Sequence, residues 1–432
     1  MLILLTHANH LWFDAKQARK MQPYPPLQTL IAAALLRQAG CQVAFLDATF
    51  DCDFQAALAR LRPDLVVVCE DHFNFLTKMC LLKNRELAFS MARAAAVPAV
   101  VASSDASDHV REYLDAGFRG VILGEVENTL LALASSAESD WSGIAGLAFK
   151  DAEGAVHYPV PRQPSKNLDA LPQPAWDLID IERYRRAWTE AHGFFSLNMV
   201  SSRGCPYRCN WCAKPVYGNT YHYRAPQLVA QEMLHLKTRY RPDRIWFADD
   251  IFGLSAQWVR RFADEVERFG AQLPFKMQSR CDLMTRETVG ALRRAGCAEV
   301  WMGVESGSQR ILDAMEKGTR VEHIYEAREN LRRHGIRACF FLQFGYLGET
   351  HEDIEQTVRM VRETKPDDIG VSVSYPLPRT KFHSLVANQL GAKKNWSESG
   401  DLAVMFRAAQ SSDFYRRLAD SLHSEVKSWT SS

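Results

Sequence analysis

Short apolar runs alternate with amphipathic helical patterns through the first 140 residues. Leu2–Leu5, Val43–Leu46, Leu65–Cys69, Ala99–Ala102 and Gly120–Leu123 are apolar stretches of the kind that form strands buried on both faces. Leu27, Leu30, Ile31, Ala34 and Leu35 recur at helical spacing and stop at Gly40, and Phe54, Ala57, Leu58 and Leu61 form a second such face behind Asp53, a candidate N-cap. Strands alternating with helices predict a parallel sheet covered on both sides, with its ligand edge at the carboxyl ends of the strands. Leu147–Phe149 and Val156–Tyr158, around Asp151-Ala-Glu-Gly154, predict a β-hairpin. Pro159, Pro161, Pro164, Pro172 and Pro174 then mark a stretch that is neither regular helix nor central strand.

The second half repeats the strand–helix pattern. Strand-like segments fall at Asn198–Ser202, Arg244–Phe247, Phe275–Gln278, Glu299–Gly303, Ala338–Phe344 and Ile369–Ser374, with helical faces such as Val259/Phe262/Val266 between them. Six such repeats predict a barrel or part of one, with its site at the C-terminal ends of the strands. The fold class is therefore α/β. A Rossmann-like, doubly wound parallel sheet is expected over residues 1–140, and a hairpin and Pro-rich linker over 141–190. A partial (β/α)6 TIM-like barrel over 191–380 and a helical segment over 381–432 complete the chain.

Composition narrows the function classes. With 47% hydrophobic and 24% charged residues the chain has the balance of a soluble globular protein. Net charge is +1 and there is no long basic block, which argues against nucleic acid as an obligatory partner. The apolar start, Met1 to Leu5, is too short for a signal peptide and reads as a strand, and no apolar run approaches a membrane span. Ten cysteines in 432 residues make no disulfide framework. Cys41, Cys52, Cys69, Cys80, Cys281, Cys297 and Cys339 read as small core residues, and a reducing cytoplasmic setting fits them.

The chemistry concentrates in Cys205-Pro-Tyr-Arg-Cys209-Asn-Trp-Cys212, a C-x3-C-x2-C run after Arg203-Gly204. Thiolates are soft ligands that suit zinc or an iron–sulfur cluster. A closed zinc site wants four ligands in paired spacings, and here the next histidine is His222. Three thiolates on a four-iron cluster leave one iron open. The alternative is a structural zinc knot or three unrelated buried cysteines. Other polar residues fall at the predicted strand ends: Asp249 and Asp250, Ser279 and Arg280, Glu305 and Ser306, Gly345 to Glu349, and Pro376 to Arg379.

The cysteine motif, with Trp211 before its last Cys, resembles that of the radical S-adenosylmethionine (SAM) superfamily. The resemblance implies a 4Fe–4S cluster on Cys205, Cys209 and Cys212, with SAM on the open iron and a 5'-deoxyadenosyl radical as its product. It implies SAM contacts from Trp211, Asp249, Asp250, Arg280, Glu305, Gly345 and Gly348. The structural alternatives are helix capping by the Asp pair, an Arg280–Glu305 ion pair, and capping by Glu349 and Thr350. In the N-terminal half, Tyr24-Pro-Pro-Leu27, Asp47 and Gly124-Glu-Val-Glu127 resemble the cobalamin-binding domain that precedes many radical SAM domains. That resemblance implies corrin contacts from Ser103, Ser104, Asp105, Gly124, Glu125 and His72. Ser103-Ser104 replace the usual Gly-Gly and add side chains where backbone is expected to approach the corrin. His72 reads at least as readily as a hydrogen-bonded histidine, and Asp71 and Asn74 are weaker candidates, while Met79 and Cys80 read as packing. Trp176 and Tyr184 read as anchors of the linker. Tyr375-Pro-Leu-Pro-Arg-Thr380 resembles a barrel-closing loop in which Arg379 departs from the usual Gly.

As a whole the chain resembles the class B methylase and anaerobic cyclase type of radical SAM enzyme. This implies methyl transfer to an unactivated carbon of a small molecule, using methylcobalamin and a substrate radical. The alternatives are oxidative cyclisation or rearrangement without methyl transfer, radical SAM chemistry with an empty N-terminal domain, and a zinc-stabilised scaffold. A flavodoxin or ferredoxin is the electron donor such a resemblance implies.

Overall fold

The computed structural model describes residues 1–73, 82–136, 141–213, 217–391, 393, 396 and 398–430. Asn74, Met79, Cys80 and Asn395 lie outside the described residues. The chain packs as two compact units. One is Met1–Asn198 with short later stretches around Tyr217 and Ser399, and the other comprises most of the remainder.

The first unit is built on a seven-stranded sheet. Its strands are β1 (Leu2–Thr6), β2 (Gln42–Leu46), β3 (Leu65–Cys69), β4 (Ala99–Ala102), β5 (Gly120–Ile122), β6 (Leu147–Lys150) and β7 (Val156–His157), in the order β2-β1-β3-β4-β5-β6-β7. β1 to β5 pair in parallel, and the β6–β7 hairpin adds to the edge antiparallel, with Ile122 opposite Leu147. The apolar runs are explained by two cores, one on each face. Ile3, Leu5, Val67 and Val100 enter one, while Leu4, Val66, Val68 and Val101 enter the other. The strand order reverses between β1 and β3. In sheets of this kind that reversal opens a crevice at the carboxyl ends of the strands, where ligands bind.

The Pro-rich segment folds back onto this unit. It leads into a helix, Ile181–His192, started by the Asp180 carboxylate and stopped by Gly193 at φ 73°. On that helix the Trp188 Nε1–H donates to the Pro23 carbonyl (2.7 Å), and the Tyr184 hydroxyl bonds Asp47 (2.7 Å) and Thr49 (2.9 Å). Trp176 is 3% exposed, and the backbone N–H beside it, of Ala175, donates to the Leu30 carbonyl. Trp176 and Tyr184 anchor the linker on the unit's core.

The second sheet has six strands, β8 (Ser196–Met199), β11 (Arg244–Phe247), β12 (Phe275–Ser279), β13 (Cys297–Glu305), β14 (Arg337–Phe344) and β15 (Asp368–Val373). Its order, β15-β14-β13-β12-β11-β8, follows the sequence, and β9 (Ser202–Arg203) forms a separate ribbon with β10 (His222–Tyr223). The pairs from β11 to β15 are parallel, with helices such as Pro226–Arg239, Ala256–Phe269, Arg286–Ala295, Val321–Arg333 and His351–Thr364 between them. This is the partial barrel expected, closed off by a last helix, Ser412–Thr430, against β15. The first barrel strand ends earlier than predicted, because the Ser201 N–H turns from the ladder to the Asp249 carboxylate. No helix among the described residues is long and apolar enough to cross a membrane.

Candidate functional site

The three motif cysteines sit on the loop after β9. All three are half-buried. Gly204, at φ 78°, turns the chain into the loop in a conformation that a side chain disfavours. Asn210 then pins it. Its N–H donates to the Met315 carbonyl (3.0 Å), its amide Nδ2 to the Ala314 carbonyl (2.8 Å), and its carbonyl accepts from the Phe382 N–H (2.9 Å). The Tyr346 hydroxyl donates to Asn210 Oδ1 at 2.8 Å. Trp211 packs against a cluster of Ile311, Met315, Tyr346, Phe382, Val386 and Phe406. Among the described residues no three His, Cys, Asp or Glu side chains converge on a single ion. Convergence on one point is what a mononuclear zinc site requires. Three soft thiolates on one loop are the donor set that an iron–sulfur cluster takes, each thiolate on a different iron, so the residues present fit such a cluster.

Two cations flank this loop. The Lys317 ammonium forms a buried ion pair with Glu305 (2.8 Å) and lies 5.9 Å from the Trp211 ring centre. Burial opposes its charge, but Glu305 and then Cys209 outweigh burial and raise its pKa. The Arg280 guanidinium stacks 3.6 Å over the Tyr207 ring, pairs with both oxygens of Asp282 and donates to the Lys317 carbonyl. The Arg280–Glu305 pair considered from sequence does not form, because Asp282 and Lys317 are the nearer partners. Glu305 itself sits at φ 63° beside a register shift in β13. A Cβ on Gly303 would come within 2.7 Å of both Glu305 Oε1 and Lys317 Nζ, so a side chain there would push the ion pair aside.

Asp249 is 1% exposed and accepts from the Ser201 N–H and from the Ser201 and Ser202 hydroxyls. Burial outweighs these bonds and pushes its pKa up to about 6. Its bonds brace the turn that delivers the cysteine loop. Asp250, next to it, is half-buried. After β14, Gly345 (φ 73°) donates its N–H to Glu349 Oε2 (2.7 Å), which also accepts from the Tyr415 hydroxyl (3.3 Å). Burial pushes Glu349 up to about 7. Gly348 has φ 79° and open space around it. Thr350 and Asp353 form the capping box expected for the next helix.

At the crevice of the first unit, His7 Nε2 lies 3.1 Å from Asp47. Burial opposes the His7 charge, but Asp47 outweighs it and raises its pKa. Glu70 Oε1 accepts from the Ala8 N–H (2.7 Å), and burial raises the pKa of this acid too. Asp71 Oδ1 accepts from the N–H groups of Gln28 and Phe73, and burial brings it to about 6. His72 is 1% exposed and meets the Tyr217 ring edge-on. Tyr217 donates to Gln28, which donates to Glu127. At β4, the Ser103 hydroxyl caps its own short helix by accepting from the Ala106 N–H. Asp105 is held by Arg85 and by the Tyr113 hydroxyl. Glu125 accepts from the Ser165 N–H, and Gly124 has φ 84°.

Residues 199–361, which hold the thiol loop and β11 to β14, match the radical SAM superfamily. That segment is a radical SAM domain. The chain is 28% identical over 280 residues to an uncharacterised methyltransferase of Pyrococcus horikoshii, covering 64% of this chain and 60% of that one. It is 25% identical to an anaerobic magnesium-protoporphyrin IX monomethyl ester cyclase of Cereibacter sphaeroides, covering 90% of this chain and 64% of the cyclase. It thus spans less than two thirds of either curated relative. The fold is shared with TsrM, a radical SAM methyltransferase from Kitasatospora setae solved with cobalamin and a [4Fe-4S] cluster bound. There the identity is 22%, the TM-score 0.73, and the coverage 96% of this chain and 84% of TsrM.

Three residues escaped the sequence reading. Asn210 is a loop asparagine whose partners lie 104 to 172 positions away. Lys317 follows a helix and carries no motif of its own. His7 follows β1, and only the strand order reveals that it shares a crevice with Glu70.

Proposed function

We propose that this enzyme holds a 4Fe–4S cluster, SAM and cobalamin, and transfers a methyl group to an unactivated carbon of a small-molecule substrate. The observation that carries this reading is the pinned three-thiol loop at the barrel mouth with Lys317 and Arg280 beside it. When bound, the cofactors supply the one-electron cleavage of SAM and the transferable methyl group; the protein positions and shields them. The thiolates of Cys205, Cys209 and Cys212 hold the iron. Asn210 keeps the loop in place, and Lys317 and Arg280 offset part of the negative charge that thiolates bring. Asp249 is committed to Ser201 and Ser202, so contact with the SAM ammonium falls to Asp250. Gly345 and Gly348 bring backbone to the nucleoside side. Corrin is assigned to the carboxyl ends of the strands in residues 1–140, and the electron donor is a flavodoxin or ferredoxin.

Cyclisation or rearrangement without methyl transfer is the second reading. The cyclase relative, which aligns over 90% of this chain, favours it. Anaerobic turnover separates the two. Methyl transfer yields S-adenosylhomocysteine together with 5'-deoxyadenosine, whereas cyclisation yields 5'-deoxyadenosine alone. Neither product from reduced, cluster-loaded protein would overturn both.

A further inference from the structure

Among the described residues, Glu70 Oε2 and Ser104 Oγ are buried polar atoms at the carboxyl edge of the first sheet with no hydrogen-bond partner. Glu70 is 6% exposed and Ser104 1% exposed. Folded chains rarely leave such atoms unsatisfied, because stripping water from them without replacement is unfavourable. Both residues follow neighbouring strands. Cys69 of β3 pairs with Ala102 of β4, and the Glu70 N–H donates to the Ala102 carbonyl. Glu70 is also fixed from the other side, where the Ala8 N–H holds Oε1 and leaves Oε2 over. It therefore stands just past the end of β3, between the ends of β1 and β4, at the crevice that the strand order creates. The two serines at β4 divide their work. Ser103 spends its hydroxyl on its own helix, and Ser104 keeps one spare.

The charge around the two atoms constrains what can satisfy them. Asp105 is matched by Arg85, and Asp47 by His7. Glu70, Asp71 and Glu127 add further acidity at the same edge. A carboxylate or phosphate brought here meets repulsion; a neutral group that donates an N–H does not.

We propose that the β3–β4 edge is a subsite for neutral primary amides, with Glu70 Oε2 accepting an amide N–H and Ser104 Oγ bonding a second amide of the same ligand. This rests on the cobalamin reading, since the corrin rim is lined with primary amides, and it assigns that rim to these two residues. The subsite turns the Ser104 departure from glycine into a contact instead of an obstruction. It also makes the site selective against corrinoids whose amides have been hydrolysed.

The test is equilibrium binding of hydroxocobalamin to the full chain, followed by absorbance, with no turnover required. Glu70→Ala and Ser104→Gly are each expected to weaken binding by roughly tenfold. Cobalamins with one amide hydrolysed to a carboxylate form the second arm. Wild-type protein rejects at least one such acid by roughly tenfold or more, and Glu70→Gln, which keeps an acceptor for the Ala8 N–H, restores its binding. Wild-type affinity in Glu70→Ala and Ser104→Gly, or equal binding of every acid and its parent, overturns the subsite while leaving cobalamin binding intact. No corrinoid bound by the wild-type chain overturns the cobalamin reading together with it.

Discussion

Asn210 performs no chemistry, yet both its backbone groups and both ends of its side-chain amide are committed to holding the cysteine loop. Asn210→Ala removes two of those bonds and is expected to cost about 2 kcal/mol in a chemical denaturation experiment. The loop should also retain less iron after anaerobic reconstitution. Cys209→Ala is the sharper change: iron content and SAM cleavage should both be lost, and retained turnover would contradict the cluster assignment. At this scale the sequence was informative about residue type and poor about partnership. Three soft ligands in eight positions announce their chemistry. By contrast, nothing local distinguishes Asp249, which braces two serines, from its neighbour Asp250. Ser103 and Ser104 looked equivalent, and only helix geometry separates the one that caps from the one with a spare hydroxyl.

At the scale of elements, two buried acids tie the barrel's strand ends together. Glu349 links Gly345, after β14, to Tyr415 on the final helix. Its pKa rises from 4.5 to about 7 because burial disfavours its charge. Its stabilising contribution is thus fully present below about pH 4.5 and lost as pH rises through about 7, a swing of about 3 kcal/mol. Glu349→Gln should flatten part of the fall in denaturation midpoint between pH 5 and pH 8, most clearly above pH 6, leaving the slope from Asp249, Asp71 and Glu70. An unchanged slope would show that Glu349 ionises freely. Lys317 and Glu305 join the stretch before Val321 to the end of β13. Lys317→Met strands a buried carboxylate and should cost about 3–5 kcal/mol, whereas Lys317→Met with Glu305→Gln should recover much of that loss. The strands themselves were legible from sequence. Their apolar runs reflect burial on both faces, and β3, β4 and β11 begin and end where the pattern places them. The helix Ile181–His192 was not foreseen. Prolines dominate the stretch before it, and its charged sequence buries only Ile181, Tyr184 and Trp188.

At the scale of the molecule, two sheets of different topology each present polar residues at the carboxyl ends of their strands. Alternation of strands and helices was enough to predict both architectures. Strand order was not predictable that way, because it depends on pairings between segments far apart in sequence. It is the order β2-β1-β3 that places His7, Glu70 and Asp71 around one crevice. The proposed function needs both edges, a thiol loop loaded with iron and a crevice loaded with corrin. The direct measurement is the iron and cobalt content of the protein, purified without oxygen from cells that take up cobalamin. About four iron atoms and close to one cobalt per chain are the expected result. Iron without cobalt would contradict methyl transfer through cobalamin and leave a radical SAM enzyme whose first unit serves another ligand.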